Sequence, residues 1–296
     1  VNDVYDSECA TQLCQLSARS ELLTENTARR HCMTTRHEDG QIRVEQRGNL
    51  LLMGIDRPEK RNGFTPKMFT ELAMAYTQLE KSGDIFCGLV YAEGDHFTAG
   101  LDMPKVAPLR REGKPLLPEG EVDPFNLRAP LRTKPVVIAL KGICFTVAVE
   151  LMLASEVAVA ADNCRFSQLE VKRGIMAGCG ATFRMVQRAG WGNAMKVLLT
   201  GDEFTADEAR HMNFVQDVVP VGQEFDRALA IAERIAAQAP LAVQTTMQNA
   251  RVSLGQGWQD AYATIQSTQQ FLYNTEDAKE GVQSFIEKRT AKFVGR

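Results

Sequence analysis

Two glutamates, twenty residues apart, stand where a carboxylate calls for an explanation. Glu150 lies in GICFTVAVELMLASEVAVAAD (142–162), among Val147, Ala148, Val149, Leu151, Met152 and Leu153. Apolar surroundings push a carboxyl toward its neutral form, because the anion loses hydration there, while the amide dipoles of a helix's first turn favour the anion. A carboxyl under both influences can change protonation state during a reaction; a glutamate exposed at a helix start is the other reading of the same stretch. Glu170 follows in RFSQLEVKRGIMAGCGATFR, ahead of Gly174, Gly178 and Gly180, which let backbone come close to a neighbour. A surface ion pair with Lys172 is its alternative. HFTAGLD, directly after the apolar run Ile85 to Tyr91, is a short glycine-containing turn whose amides can face a cleft. Two acids and fixed amide donors are equipment for proton transfer and for holding a developing oxyanion.

Elements that would position these groups are legible around them. QIRVEQRGNLLLMGIDRPEKRN reads as a β-hairpin turning at Gly48-Asn49, residues that tolerate positive φ. Thr65-Pro66 supplies an N-cap and a first-turn proline, and Met68, Phe69, Leu72, Ala75, Tyr76 and Leu79 recur at helical spacing. IFCGLVYAE and KPVVIALKG read as buried strands, Val147 to Ala154 as a helix, and strands alternating with helices imply an α/β fold. Residues 104–134, rich in Pro, Arg and Glu, are expected to be a mobile loop. From Glu224 onward four amphipathic stretches predict an all-helical region. The expected organisation is an N-terminal extension over 1–40, a core over 41–223 and a helical region over 224–296.

Composition excludes several classes. With 44% hydrophobic and 24% charged residues and a net charge of −3, nothing argues electrostatically for nucleic acid or a membrane surface. The apolar run 136–161 is broken by Lys141, Glu150 and Glu156 before it reaches spanning length, so it reads as core. The first 32 residues carry Asp3, Asp6, Glu8, Glu21 and Glu25 and no apolar signal core. Seven cysteines, an odd number, predict reduced thiols in a cytosol-like, cytoplasmic compartment. Cys9, Cys14, His31, Cys32 and His37 match no standard zinc spacing, so no metal is expected. The basic pairs Arg110-Arg111 and Lys172-Arg173 are expected on the solvated surface.

Taken in order, the motifs resemble the crotonase (enoyl-CoA hydratase/isomerase) superfamily. IDRPEKRNGF is similar to the family's R-P-x-x-x-N segment, FTAGLD to its F-x-A-G-x-D loop, and KPVVIALKGICFTVAVEL to its strand and helix ending in E-L. RFSQLEVKRGIMAGCGA resembles its acid-plus-glycine segment, LLTGDEFTADEARHMNFVQDVV its L-T-G segment, and EGVQSFIEKRTAKF its C-terminal signature. The resemblance covers residues 41–294. It implies a spiral of ββα units, a C-terminal helical region that builds trimers or paired trimers, and an acyl-CoA substrate with no separate cofactor. By position it makes Glu150 and Glu170 the two acids of a hydratase and the N–H groups of Leu101 and Val147 the oxyanion hole. Ala99, Gly100 and Asp102 fall on the loop that lines the CoA pocket, and Phe285 and Lys288 match residues that reach the CoA of a neighbouring subunit. Hydration of a 2-enoyl-CoA is the implied reaction. Isomerisation or hydrolysis on the same fold, and a catalytically silent oligomeric binding protein, are the alternatives.

Three departures from the family pattern stand out. Its glycine triplet is here Thr146-Val147-Ala148, its proline before the second acid is Leu169, and its I-P-G segment is Ile175-Met176-Ala177-Gly178. A valine at positive φ is a backbone outlier, so strain is expected at Val147. The added side chains of Val147 and Ala148 are expected to narrow the acyl pocket toward short or linear chains.

Overall fold

In the computed structural model, residues 37–296 are described; Cys9, Cys14, His31, Cys32 and nearly all of the expected N-terminal extension lie outside that range. The hairpin forms as the sequence predicts. Strand β1 (Gln41–Arg47) turns at Gly48, φ 56°, and pairs antiparallel with β2 (Leu50–Asp56) from Gln41 opposite Asp56 to Arg47 opposite Leu50. Parallel strands then extend the sheet: β3 (Cys87–Ala92), β4 (Val136–Leu140), β6 (Val157–Ala161) and β9 (Asp217–Val219), in the order β1-β2-β3-β4-β6-β9. Such strands are buried on both faces and therefore read as continuous apolar runs, as β2 and β4 do. A second sheet holds β5 (Ile143–Phe145), β7 (Arg165–Ser167) and β8 (Phe204–Thr205).

Helix α1 (Pro66–Lys81) starts at Thr65, whose hydroxyl accepts the Met68 N–H at 3.3 Å, and the six predicted core positions on its face are all buried. The expected loop over 104–134 is not a uniform loop. Met103–Arg111 forms helix α2, with Pro104 in its first turn, where no N–H is missed. Farther on, Val122, Asp123 and Phe125 are buried. Arg132 is wholly buried, and its guanidinium donates to Glu156 at 2.6 Å and to the carbonyls of Lys134 and Ala154. Local composition hides this, because the fixing partners are distant in sequence.

Helices α3 (Val147–Ala154), α4 (Ala181–Thr200, broken at Gly190) and α5 (Ala206–His211) follow. All eight residues of α3 are buried. Helix α6 (Glu224–Ala236) lies on the other face of the larger sheet, with Ala228 and Ala232 against Leu50, Leu52, Leu89, Val137 and Val159. Packing thus groups α6 with the sheet, although strands end before it as expected. Helices α7 (Pro240–Gln256), α8 (Trp258–Tyr273) and α9 (Glu276–Glu287) complete the helical region. Arg251 of α7 fastens that region to the core by donating to the other oxygen of Glu156 at 2.9 Å. No helix among the described residues is long and apolar enough to cross a membrane.

Candidate active site

Strand β5 is the middle of three parallel segments, and this arrangement assembles the site. On one side it pairs with β7, placing Phe145 opposite Ser167, and the Thr146 N–H extends the ladder to the Ser167 carbonyl at 2.8 Å. On the other side Thr98 donates to the Ile143 carbonyl at 3.0 Å and accepts from the Phe145 N–H at 3.0 Å. Segments 98–101, 143–147 and 165–170 therefore end at one edge. Leu101, Val147 and the two glutamates are carried there together.

The amide donors are set by backbone that makes no other use of them. The Gly100 and Asp102 peptides bond to Phe64 on one side of the loop, through Phe64 N–H to Gly100 O and Asp102 N–H to Phe64 O, both at 2.9 Å. That alternation turns the Leu101 N–H the opposite way. Val147 is the first residue of α3, where an N–H has no intrahelical acceptor. No acceptor among the described residues takes either N–H.

The expected strain is displaced by one residue. Val147 is helical, and Thr146 carries the positive φ, 48° with ψ −99°. A β-branched residue there is a genuine outlier. Its hydroxyl is buried without a hydrogen-bond partner and lies against Gly100: a Cβ at Gly100 would stand 2.5 Å from Thr146 Oγ1. Because φ at Gly100 is 104° as well, glycine is needed there for both conformation and contact. Backbone strain of this kind costs about 1–3 kcal/mol. Thr146→Gly, which also removes an unpaired buried hydroxyl, is expected to stabilise the protein by about 1 kcal/mol after the added chain entropy of glycine, raising Tm by about 2–4 °C. Differential scanning calorimetry checks it.

Val147 and Ala148 are packed in the main core and are not among the residues lining the cavity beside Cys179. That cavity, of about 250 Å³, lies between α1, α2 and the start of α4, lined by Phe69, Leu116, Leu117, Phe125, Gly178 and Cys179 and by the charged Arg110, Asp123 and Arg128.

Glu150, 3% exposed, is stabilised by a different helix from its own. Its Oε1 accepts the Cys179 N–H at 2.6 Å and the Ala181 N–H at 3.4 Å, so the carboxylate caps the start of α4. The glycines flanking Cys179 permit this approach, and Gly180 takes φ 104° to do so. Burial pushes the Glu150 carboxyl up to about 7; the Cys179 amide opposes that shift and the nearby Glu170 charge adds to it. Burial also raises Glu170, which begins a short 3-10 turn (Glu170–Arg173). One of its oxygens, Oε2, is buried with no partner among the described residues. Lys172 and Arg173 are exposed, and Lys172 meets Asp202 rather than Glu170.

The raised Glu150 value sets a direction for stability against pH. Below about 4.5 the carboxyl is protonated in both folded and unfolded chains; between there and about 7 the unfolded chain ionises first, and stability falls as pH rises. Glu150→Gln is therefore expected to be more stable than the parent at pH 8, by on the order of 3 kcal/mol, and to lose most of that advantage by pH 5. Urea unfolding at the two pH values measures it.

Among the other positions singled out by sequence, Asp102 is engaged within the fold. Its carboxylate accepts from the buried Arg57 guanidinium at 2.8 Å, which fixes the loop. The Ala99 N–H donates to the Arg61 carbonyl at 2.9 Å. Phe285 and Lys288, at the end of α9, are exposed and make no bond to the glutamates or the Gly100 loop. Residues that sequence reasoning missed are Thr146 and the amide of Cys179; Arg110 and Arg111 are exposed as expected, and Arg110 also borders the cavity beside Gly178.

Comparison with known proteins gives the family. Residues 45–296 match the enoyl-CoA hydratase/isomerase family profile. An enoyl-CoA hydratase of Mycobacterium tuberculosis is 30% identical over 257 residues, 86% of this chain and 96% of that protein. The 2,3-dehydroadipyl-CoA hydratase of Escherichia coli is 30% identical over 261 residues, 86% and 99% of the two chains. The crystal structure of a probable enoyl-CoA hydratase/isomerase from Mycobacterium abscessus superposes with a TM-score of 0.83 at 43% identity, covering 86% of this chain and 98% of that one.

Proposed function

The chain belongs to the enoyl-CoA hydratase/isomerase family, and from that premise we propose that it adds water to a 2-enoyl-CoA to give a 3-hydroxyacyl-CoA. The observation that carries the reading is the convergence of two unengaged amide donors, a buried acid and a half-buried one at one edge of three parallel segments. Water adds to C3 only if the charge arriving on the thioester oxygen is held, and the Leu101 and Val147 N–H groups hold it. Each fixed donor of this type contributes about 2.7–4 kcal/mol to such a transition state.

The proton work divides between the acids. Glu150, pushed up to about 7 by burial while two amides hold one of its oxygens, is matched to a base's work near neutral pH: it takes a proton from water as the new C3–O bond forms and the π electrons move onto the thioester oxygen. Glu170, also raised by burial and with an unpartnered oxygen, delivers a proton to C2 as the enolate collapses. Apparent pKa values in a pH–rate profile then belong to the pair. Loss of the conjugated thioester absorbance of crotonyl-CoA, with 3-hydroxybutyryl-CoA as the only product, tests the reading. Conversion of a 3-enoyl-CoA to a 2-enoyl-CoA without hydration would replace it with isomerisation.

The same proposal includes a homotrimer, or paired trimers, with CoA supplied by the substrate and no further cofactor. Its support is the exposed apolar surface of the helical region, including Leu254, Trp258, Tyr262, Phe271 and Phe285. Lys288 would then meet a CoA phosphate in a neighbouring site. Lys288→Glu is expected to raise KM for every CoA thioester about tenfold while kcat changes less, since a charge contact far from the reacting carbons binds ground and transition states alike. Light scattering that found a fully active monomer would remove the assembly. Free thiols at Cys87, Cys144, Cys164 and Cys179 support a reducing, cytoplasmic setting and a role in acyl-CoA metabolism.

A further inference from the structure

The cavity beside Glu150 is apolar along most of its wall, yet its charged residues are not balanced. Asp123, 3% exposed, accepts the Phe125 N–H at 2.8 Å and the Leu127 N–H at 3.3 Å, and Arg128 approaches its carboxylate at 3.6 Å. These groups satisfy one another. Arg110, from the last turn of α2, has no carboxylate or carbonyl partner among the described residues, although its Nη2 stands 3.8 Å from where a Cβ on Gly178 would be. Gly178 precedes Cys179, whose amide holds Glu150. Arg110 is exposed, and its guanidinium stands at the mouth of this cavity within reach of the glycine segment.

Building on the hydratase reading, we propose that the substrate is the mono-CoA thioester of an unsaturated dicarboxylic acid, whose free carboxylate is received by Arg110. The chemistry fits from both ends. An acyl chain with C3 at Glu150 runs along Phe69, Leu116, Leu117 and Phe125, which bind methylenes. At its far end the planar guanidinium matches a carboxylate in fork geometry, and a charge-assisted pair against partly apolar walls is among the stronger hydrogen bonds. A plain alkyl chain would leave the exposed Arg110 to water and gain nothing from it.

Binding of saturated thioesters isolates this inference from the reaction. Calorimetry with adipoyl-CoA and hexanoyl-CoA, equal in chain length, is expected to show at least about tenfold tighter binding of adipoyl-CoA, a charge-assisted contact's usual effect. Arg110→Met should bring the ratio to about one, and Arg110→Lys should keep part of it. Hydration of the matching 2-enoyl thioesters should show the same ratio in kcat/KM. Equal affinities in the parent protein, or a preference that survives Arg110→Met, overturn the proposal. So does an equal loss of both thioesters in Arg110→Met, which would put a CoA phosphate on the guanidinium. If adipoyl-CoA is preferred but neither enoyl thioester is hydrated, the carboxylate site stands and the hydratase reading fails.

Discussion

Glu170→Gln and Glu150→Gln each lower hydration of a short enoyl-CoA by about 10²–10⁴-fold, the usual effect of removing a positioned acid or base. The double variant falls much less than the product of the two losses, because both groups act on one water and one proton inventory. Structure makes the two single variants unequal in other respects. Glutamine at 150 retains an oxygen for the Cys179 and Ala181 amides, so the start of α4 survives while the base is lost. Glutamine at 170 replaces a carboxyl with one unpartnered buried oxygen. Single-turnover rates with crotonyl-CoA, alongside the unfolding measurements, separate lost chemistry from lost fold. A Glu150→Gln enzyme of nearly full hydratase rate beside an inert Glu170→Gln enzyme would leave a one-acid isomerase as the better description.

Gly100→Ala lowers kcat by about 10²–10³-fold, the effect of losing one oxyanion donor. The added methyl would stand 2.5 Å from Thr146 Oγ1, and its three nearest neighbours are all side-chain atoms of Thr146. Either the Gly100 loop or the start of α3 must move, and each carries one of the two N–H donors. Combining Gly100→Ala with Thr146→Gly removes the collision and leaves only the unfavourable φ at position 100. Recovery of at least about tenfold in kcat by the double variant is the expected result, since displacement of an amide by even 1 Å is costly in a preorganised site. No recovery would trace the defect to backbone conformation at position 100 and end the collision account.

Local pattern carried much of the fold and only part of the site. The hairpin at Gly48, the Thr65 cap and the buried face of α1 follow from turn chemistry and helical spacing, which need no distant partner. Strand β4 was legible as an uninterrupted apolar run. By contrast β5, β7 and β8 are two or three residues long, too short for periodicity to register, and their pairing is what brings Glu150 and Glu170 together. Both acids stand out in the sequence because a carboxylate is unexpected there, but the sequence alone points to Glu150's own helix for its stabilisation. Its acceptor role toward Cys179 is a contact between residues 29 apart and leaves no local trace. Arg110 adds a second case: its stretch reads as surface and the residue is exposed, but that the same side chain borders a cavity beside Gly178 depends on how α2 packs.

The bond from Glu150 to the start of α4 also bears on how this scaffold can evolve. A carboxylate that served only the reaction could drift to alanine once a lineage needed a single acid. Here such a change would leave the Cys179 and Ala181 amides, one of them fully enclosed, without an acceptor, at about 1–3 kcal/mol for each buried group. Accessible descendants are therefore those that keep an oxygen at that reach, glutamine first, so the route from two acids to one runs through a narrow set of codons.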